Sequence, residues 1–314
     1  MLTAYALPSQ EVSQEYASEH IEDAVWVDAV DPTDDEISTL QKKFGIFSDD
    51  IIDCLDKNER SRFDSEEEYM MLILRVLAKD DDPTDLKYPM EPVGFFLTRK
   101  NLITVHSNRV TLPRDPTSDL RKRKTYPKSK EELLYALIRR FNRDIERCVR
   151  NLEIKIEAIQ SLILKSIKTE VINDAFTLNN SLILLNTSIL SNANAINAMR
   201  KNRLICGDAE MAEIIEDIEI DTKQLYEMTN IHRELVSNTL DAYSTTISNN
   251  LNHVMKLIAS LSLILMLPTL IASLYGMNVK LPFQDSPDAF MFVIGMSLFS
   301  SAILWIAFRK YGFM

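Results

Sequence analysis

Two long apolar runs lie close together at the C-terminal end of the 314-residue chain. No charged residue occurs over 257–279 or over 289–308, and each run is long enough for a helix to cross the hydrocarbon core of a bilayer. The pattern therefore predicts two membrane spans joined by a short connection. We assign the first transmembrane helix to 254–278, an external loop to 279–288, the second transmembrane helix to 289–308 and a basic tail to 309–314.

The middle of the chain, 128–253, is predicted to be almost entirely helical. No proline and a single glycine lie between Pro127 and Pro268, an absence typical of long helices. Breaks near 166–169 and 206–208 predict three long helices, the last of which continues through the first span without interruption. Steps of three and four residues join the apolar positions of a buried seam on the first helix: Leu134, Ile138, Phe141, Ile145, Cys148 and Leu152.

The first 127 residues are predicted to form a small cytoplasmic α/β domain. Runs of β-branched and aromatic residues bounded by turn residues are typical of strands, and a helical pattern over 33–45 lies between the first run and the others. Strands separated by helices favour an α/β domain. The predicted strands are 24–30, 68–78, 91–99 and 102–106.

Charge divides the chain at the same place as hydropathy. The formal net charge is −11, and because 254–314 hold four bases and two acids, the first 253 residues carry −13. An acidic soluble part argues against nucleic acid as a partner and for cations, although a merely solvated surface explains the same number. Cys54, Cys148 and Cys206 lack metal-ligand spacing and fit a reduced cytoplasmic protein. We find no nucleophile elbow, phosphate-binding glycine loop or zinc-protease motif, so we do not expect an enzyme.

The distribution of basic residues predicts the orientation in the membrane. The N-terminus has neither a basic lead nor a long apolar stretch, so we expect no signal peptide. Lys256 before the first span and Arg309 and Lys310 after the second outnumber Lys280 between them. Because basic flanks stay in the cytoplasm, we expect a multi-pass protein of the inner or plasma membrane with both termini cytoplasmic.

The first span carries a stripe of small, hydroxyl and thioether side chains. No Leu, Ile, Val or Phe falls on this arc when the helix advances by about 100° per residue, and Asn252 extends it toward the cytoplasm. One explanation is a face that packs closely against another helix. The other is the wall of a channel that several copies of the helix surround. The stripe consists of Met255, Ala259, Ser262, Met266, Thr269, Ser273 and Met277.

The first span ends in "MLPTLIASLYGMN" (266–278), which is followed by a short loop and a second span. This arrangement resembles the CorA family of magnesium channels, whose signature is Gly-Met-Asn at the outer end of the first of two spans. "NHVMK" (252–256) lies upstream at the expected distance, and the stretches 25–46 and 50–76 are similar to the family's cytoplasmic domain. The resemblance extends over nearly the whole chain.

The resemblance implies a funnel-shaped homopentamer in the lipid bilayer that moves Mg²⁺ into the cytoplasm, with Co²⁺ or Ni²⁺ as secondary ions. The first span of each subunit would line one central pore, and the second would face lipid. Gly276, Met277 and Asn278 would form the outer selectivity filter, where amide oxygens bind the waters of an ion that dehydrates reluctantly. The pore-lining residues carried over from the family are Asn252, Met255, Ile258, Ser262, Met266 and Thr269.

The resemblance also implies that cytoplasmic Mg²⁺, bound between neighbouring subunits, closes the pore. Asp217 falls where the family has an interface acid, in a segment crowded with acids at the start of the long last helix. A solvated acidic face explains the same residues. The candidate ligands for this regulatory metal are Asp217, Glu213, Asp221, Asp80, Asp81 and Asp82.

Two departures from the family pattern affect the flanks of the pore. Many members carry an acid soon after the triplet, whereas this chain has Lys280, and Asp285 and Asp288 are the remaining candidates for outer negative charge. Many members also end in a run of lysines, in place of which this chain has a basic belt of Lys256, Arg309 and Lys310.

Two rival functions remain open on the sequence. A zinc transporter of the same superfamily, similar to ZntB, would share the fold, but Met277 in the triplet favours magnesium. A membrane-anchored helical scaffold or sensor that conducts nothing is the rival from another class. The polar stripe on the first span argues against a simple anchor.

Overall fold

The structure is a computed structural model that describes residues 1–5, 15–16, 18–79, 86–112, 127–165, 169–202, 209–279, 281–283 and 286–313. The chain divides into two compact units, Met1–Thr239 and Leu240–Met314. Its strands are β1 (Leu2–Tyr5), β2 (Glu15–Tyr16), β3 (Trp26–Val30), β4 (Arg62–Ser65), β5 (Tyr69–Leu77), β6 (Met90–Thr98) and β7 (Leu102–His106). Its helices are a 3₁₀ helix (Ser18–Asp23), α1 (Asp34–Phe44), α2 (Ser48–Asp53), α3 (Lys130–Lys165), α4 (Thr169–Arg200), α5 (Ala209–Tyr275) and α6 (Ala289–Lys310).

The first unit contains a seven-stranded mixed sheet in the order β2-β1-β3-β7-β6-β5-β4. Strands β3 and β7 pair in parallel, and the other neighbours are antiparallel. The four strands predicted from the sequence are confirmed, whereas β1, β2 and β4 were not predicted. Helix α1 is also confirmed, because Thr33 and Glu36 form a capping box at its start and Gly45 ends it in the left-handed conformation.

Alternation along the strands builds a separate core on each face of the sheet. Leu72, Leu74 and Val76 of β5 pack on one side with apolar residues of α3, α4 and the start of α5. Met71 and Ile73 point to the other side, into a core with α1 and α2. Because side chains alternate along a strand, both faces of β5 are buried, which explains its nearly continuous apolar sequence.

The three long helices predicted for the middle of the chain are confirmed. All six residues of the predicted seam on α3 are buried. Side-chain hydrogen bonds connect α3 to α5, including Asn142 Nδ2 to Thr222 Oγ1 at 2.8 Å and Gln160 Nε2 to Thr239 Oγ1 at 2.9 Å. The two pairs are separated in sequence by nearly the same number of residues, so α3 and α5 run parallel.

The second unit contains the apolar part of α5 and the whole of α6. Both helices are long and apolar enough to cross a membrane. Helix α6 is nearly all apolar and buries none of its residues within the chain. It continues through Arg309 to Lys310, two residues beyond the predicted end of the second span.

Candidate functional site

The apolar part of α5 has one covered side. Over 251–279 every residue is exposed except six, and these six recur at helical spacing: Ser260, Ile264, Leu267, Pro268, Ile271 and Tyr275. The hydroxyl of Ser301 on α6 donates a hydrogen bond to the carbonyl of Ile264 at 3.3 Å. The covered side is therefore the side that packs against α6, where small residues of α6, including Ser297 and Ser301, allow a close approach.

The predicted stripe lies on the opposite side of the same helix. At about 100° per residue, its centre is about 180° away from the centre of the covered side. All seven residues of the stripe are exposed, with Met255 at 64% and Met266 at 63% of their full surface. Asn252 and Ile258, which the family resemblance adds, are exposed as well. Packing against α6 therefore does not explain the stripe, and a partner outside this chain or water must meet it.

The Gly-Met-Asn triplet follows directly on the last turn of α5. The amide of Gly276 donates to the carbonyls of Ala272 at 2.9 Å and Ser273 at 3.2 Å, so the backbone continues the helical turn. Met277 and Asn278 are exposed. Among the described residues, the Asn278 amide makes no hydrogen bond, which leaves its oxygen available to a ligand.

The backbone at Gly276 does not form a left-handed turn in this structure. In the described part of the chain the glycines with positive φ are Gly45 and Gly312, so Gly276 adopts an ordinary conformation. A Cβ atom at Gly276 would lie 3.4 Å from the carbonyl oxygen of Ala272, which is an ordinary contact. In this chain, therefore, the backbone at Gly276 does not require the conformational freedom of glycine.

The loop after the triplet is described only in part. Lys280 and Asp285 lie outside the described residues, so the structure does not place these candidates. Asp288 is exposed and precedes α6 without capping it through its side chain.

The start of the apolar part of α5 borders an open recess of about 530 Å³. The ammonium of Lys256 lies 5.7 Å from the centre of the Phe313 ring, and the guanidinium of Arg309 lies 5.4 Å from that of Trp305. Lys310 is exposed. Two members of the predicted basic belt therefore stack on aromatic rings, a role of Phe313 that the sequence pattern missed. The recess is lined by Asn249, Asn252, His253, Met255, Lys256, Ala259, Gly312 and Phe313.

The candidate regulatory acids lie on an exposed face of α5 in the first unit. Glu213, Asp217 and Asp221 follow one another at four-residue intervals, and all three are exposed. Asp217 accepts a hydrogen bond from Arg139 of α3 at 3.3 Å. Burial raises the pKa of the Asp221 carboxyl, and the nearby charge of Asp217 adds to this effect while Arg139 opposes it. The face therefore concentrates negative charge that α3 compensates incompletely.

Other acids of this region behave differently. Glu219 is buried and pairs with Arg200 at 2.7 Å and with Lys223, so it belongs to the core and not to the exposed acidic face. Asp80, Asp81 and Asp82 lie outside the described residues. Within the described ranges of a single chain, no three acid, histidine or cysteine side chains come together as a metal site.

Three comparisons with known proteins bear on the site. Residues 22–310 match the model of the family described as CorA-like Mg²⁺ transporter protein. A "Cobalt/magnesium transport protein CorA" from Methanocaldococcus jannaschii is 26% identical over 294 residues, which cover 92% of this chain and 91% of that protein. The complete CorA structure from the same organism superposes with a TM-score of 0.83 at 24% identity, over 100% of this chain and 99% of the other.

A cytoplasmic domain of another protein shares part of the fold. The cytoplasmic domain of ZntB from Vibrio parahaemolyticus superposes with a TM-score of 0.61 at 14% identity, over 79% of this chain and 98% of that domain. At such identities the two superpositions bear on the fold alone. They support a sheet-containing N-terminal domain, long helices and two C-terminal apolar helices.

Proposed function

Because the chain belongs to the CorA-like Mg²⁺ transporter protein family, we propose that it is a divalent cation channel of the cell membrane that carries Mg²⁺ into the cytoplasm. The observation that carries the proposal is the placement of the stripe on α5, on the side away from α6. In a helix that spans a bilayer, a face of small and hydroxyl side chains is typical of contact with protein or water and not with lipid. In our proposal, five copies of the chain arrange these faces around one pore while α6 faces lipid.

Five copies of Asn278 form the outer site of this pore. The amide oxygen is free of partners among the described residues, and Mg²⁺ keeps its water shell tightly. A ring of amide oxygens binds the waters of a hydrated ion without removing them. Co²⁺ and Ni²⁺ are divalent ions of similar size and serve as secondary substrates.

Met255 and Met266 make the gate of the channel. Both side chains are largely exposed on the stripe of a single chain. In a ring of five they form two apolar constrictions, which close a narrow pore by excluding water. Hydroxyl groups of Ser262 and Thr269 line the wall on either side of the Met266 ring.

Cytoplasmic Mg²⁺ closes the channel by binding between subunits at the exposed acidic face of α5. Glu213, Asp217 and Asp221 repel one another there unless a cation is present. Binding that favours the closed state lowers the open population by the difference in affinity between the two states. Loss of the ion at low internal Mg²⁺ opens the pore.

The basic belt keeps both termini in the cytoplasm. Lys256, Arg309 and Lys310 lie at the ends of the apolar segments that connect to the termini, and basic residues favour the cytoplasmic side. Stacking of Arg309 on Trp305 places an aromatic ring at the same boundary, as is common at membrane interfaces.

A zinc transporter is the second candidate, because the ZntB domain shares the fold. The test is uptake of Mg²⁺ and Zn²⁺, measured in parallel with ion-sensitive dyes in liposomes that contain the purified protein. We expect Mg²⁺ influx that falls when Mg²⁺ is added to the cytoplasmic face. Zinc uptake without Mg²⁺ uptake would mean that the transported ion is zinc and not magnesium. The absence of any divalent cation flux would favour a scaffold.

A further inference from the structure

A proline interrupts the hydrogen bonding of the pore helix. Pro268 lies inside α5 and has no backbone N–H, so it cannot donate to the carbonyl of Ile264 four residues earlier. An unsatisfied carbonyl in the hydrocarbon region of a membrane is costly. The chain supplies the missing donor from elsewhere, because the hydroxyl of Ser301 on α6 donates to this carbonyl at 3.3 Å.

The bond of Ser301 differs from those of the other hydroxyl groups nearby. Ser260 and Thr269 on α5 donate to carbonyls four residues earlier in their own helix, at 2.7 Å and 2.9 Å. On α6, Ser297 and Ser300 also donate within the helix, to Val293 at 2.8 Å and to Ser297 at 2.9 Å. Ser301 instead reaches across to α5. It is directed at the one carbonyl that Pro268 leaves without an amide donor.

The position of this bond gives it control over the outer end of the pore. Pro268 and Ile264 lie on the covered side of α5, and Asn278 follows ten residues after the proline. Ten residues correspond to roughly 15 Å of helix. Proline kinks are the commonest bends in long helices, and a change of about 10° at Pro268 would move Asn278 by roughly 2–3 Å at that distance.

We propose that Ser301 is a positioning residue of the ion pathway. Its hydroxyl holds the direction of α5 across Pro268 and thereby sets the distance between the Asn278 side chains of neighbouring subunits. This inference rests on the proposed channel function, since it concerns how closely the amide ring fits a hydrated cation. Without the hydroxyl, the segment after Pro268 changes its direction and the ring no longer fits the ion.

The test is a cycle of Ser301→Ala and Pro268→Ala, made singly and together in the full-length protein. Alanine at 268 restores the backbone N–H, so Ile264 regains its ordinary helical partner and Ser301 is no longer needed. Mg²⁺ flux into liposomes is measured over a range of Mg²⁺ concentrations and divided by the amount of assembled protein. We expect Ser301→Ala to raise the apparent KM for Mg²⁺ by about fivefold, as for the loss of one hydrogen bond.

The same substitution in the Pro268→Ala background should leave the KM unchanged. Ser297→Ala is the matched control on α6, because that hydroxyl bonds only within its own helix. Ser301→Thr keeps a hydroxyl at position 301 and should therefore keep the wild-type KM. A lower maximal flux at unchanged KM would indicate a role in stability alone and would overturn the proposal. An equal effect of Ser301→Ala in both backgrounds would overturn it too.

Hydrogen exchange separates this inference from the channel function itself. Amide exchange of the peptides that cover 264–275 is measured by mass spectrometry on the four proteins in detergent. Ser301→Ala should accelerate exchange at least about fivefold when proline is present, and not when alanine replaces it. If the wild-type protein conducts no ion but shows this coupling, the channel function is refuted while the hydrogen bond between Ser301 and Ile264 is supported. If Ser301→Ala does not change the amide exchange rate of these peptides, the positioning role of Ser301 is refuted, whatever ion flux is measured.

Discussion

Arg139 on α3 donates a hydrogen bond to the carboxylate of Asp217 on α5 across 3.3 Å. Asp217 nevertheless remains 61% exposed at its side chain, so the ion pair occupies one side of the carboxylate and leaves the rest open. A regulatory cation that bound Asp217 between subunits, as proposed above, would therefore compete with a guanidinium for the same charge. The proposed regulatory site can therefore be tested by a substitution at Asp217 or at Arg139.

Neutralising Asp217 and neutralising Arg139 should shift the inhibition by internal Mg²⁺ in opposite directions. Asp217→Asn removes the charge without changing the shape, and we expect about fivefold or more Mg²⁺ on the cytoplasmic face to be needed for half-inhibition. Arg139→Gln frees the carboxylate and should lower that concentration. The measurement is Mg²⁺ influx into liposomes at graded internal Mg²⁺, with Glu216→Gln as a neighbouring exposed control. Unchanged inhibition in Asp217→Asn would remove Asp217 from the regulatory site.

Asn278→Ala should abolish Mg²⁺ uptake while oligomers still form. The substitution deletes the amide oxygens that bind the ion's waters, and the exposed side chain contributes no described contact to the fold of the chain. Size-exclusion chromatography with light scattering reports the oligomer, and liposome flux reports transport. Asn250→Ala, on the same helix but off the stripe, is the control. Normal flux in Asn278→Ala would contradict the assignment of the filter.

Cysteine accessibility should distinguish the stripe from the other exposed faces of α5. We expect flux through Ser262→Cys to be blocked by a charged methanethiosulfonate reagent, which reacts with thiols that water reaches. Leu261→Cys, one residue earlier and about 100° away around the helix, should be insensitive because it faces lipid. Wild-type protein controls for the native thiols, of which Cys54 and Cys148 are buried. Equal sensitivity of both variants would mean that the stripe does not line the pathway.

The features that sequence alone predicted are those carried by local pattern. The spans follow from uncharged runs, α1 from Thr33, Glu36 and Gly45, and the seam on α3 from its spacing. Strand β4 escaped prediction because "RFDS" has no strand pattern of its own, and its ladder depends on pairing with β5. The segment forms a strand because it pairs with β5, and its own residues do not favour a strand.

The missed features of the site depend on contacts between distant parts of the chain. Ser301 and Ile264 are 37 residues apart, and nothing in either segment alone indicates that the hydroxyl serves the carbonyl freed by Pro268. Glu219 belongs to the same acid-rich segment as Asp217, and only its pairing with Arg200 and its burial show that it is a core residue. Periodicity identifies a face, but it does not identify what covers that face.

Stability of the first unit should fall as the pH rises from about 6.5 through the folded pKa of His106. His106 Nε2 lies 3.1 Å from Asp28 Oδ1, and Thr104 donates to the same oxygen at 2.6 Å. Burial of the imidazole lowers its pKa, but the hydrogen bond and charge of Asp28 outweigh burial and raise the pKa above its ordinary value. The protonated ring therefore stabilises the fold fully below the unfolded pKa of about 6.5, and this contribution is lost as the pH rises through the folded pKa.

The measurement is the melting temperature of the full-length protein in detergent between pH 6 and pH 8. We expect a decrease with pH in the wild type and a flatter profile in His106→Gln. His253→Gln, an exposed helical histidine, should keep the wild-type profile. A profile that His106→Gln leaves unaltered would assign the pH dependence to other groups.

The amide of Asn192 attaches α4 to strand β5, and its removal should cost stability. Its Oδ1 accepts from Ser61 Oγ at 2.6 Å and from the Arg75 amide at 2.9 Å, while its Nδ2 donates to the Arg75 carbonyl at 2.8 Å. The side chain is buried, so Asn192→Ala leaves polar groups of β5 without partners, at about 1–3 kcal/mol. For a unit of this size, Met1–Thr239, each kcal/mol shifts the melting temperature by about 2–4 °C, so the melting temperature should fall by roughly 2–12 °C.

Two further variants identify the cause of that loss. Asn194→Ala lies on the exposed side of the same helix and should leave the melting temperature unchanged. Asn192→Asp keeps the acceptor oxygen but replaces the donating nitrogen by a second oxygen, so that a carboxylate oxygen lies opposite the Arg75 carbonyl. We therefore expect Asn192→Asp to be destabilised at neutral pH and partly restored at acidic pH, where the protonated carboxyl can donate again. Destabilisation that is equal at both pH values would show that the lost donor does not explain the weaker attachment of α4 to the sheet.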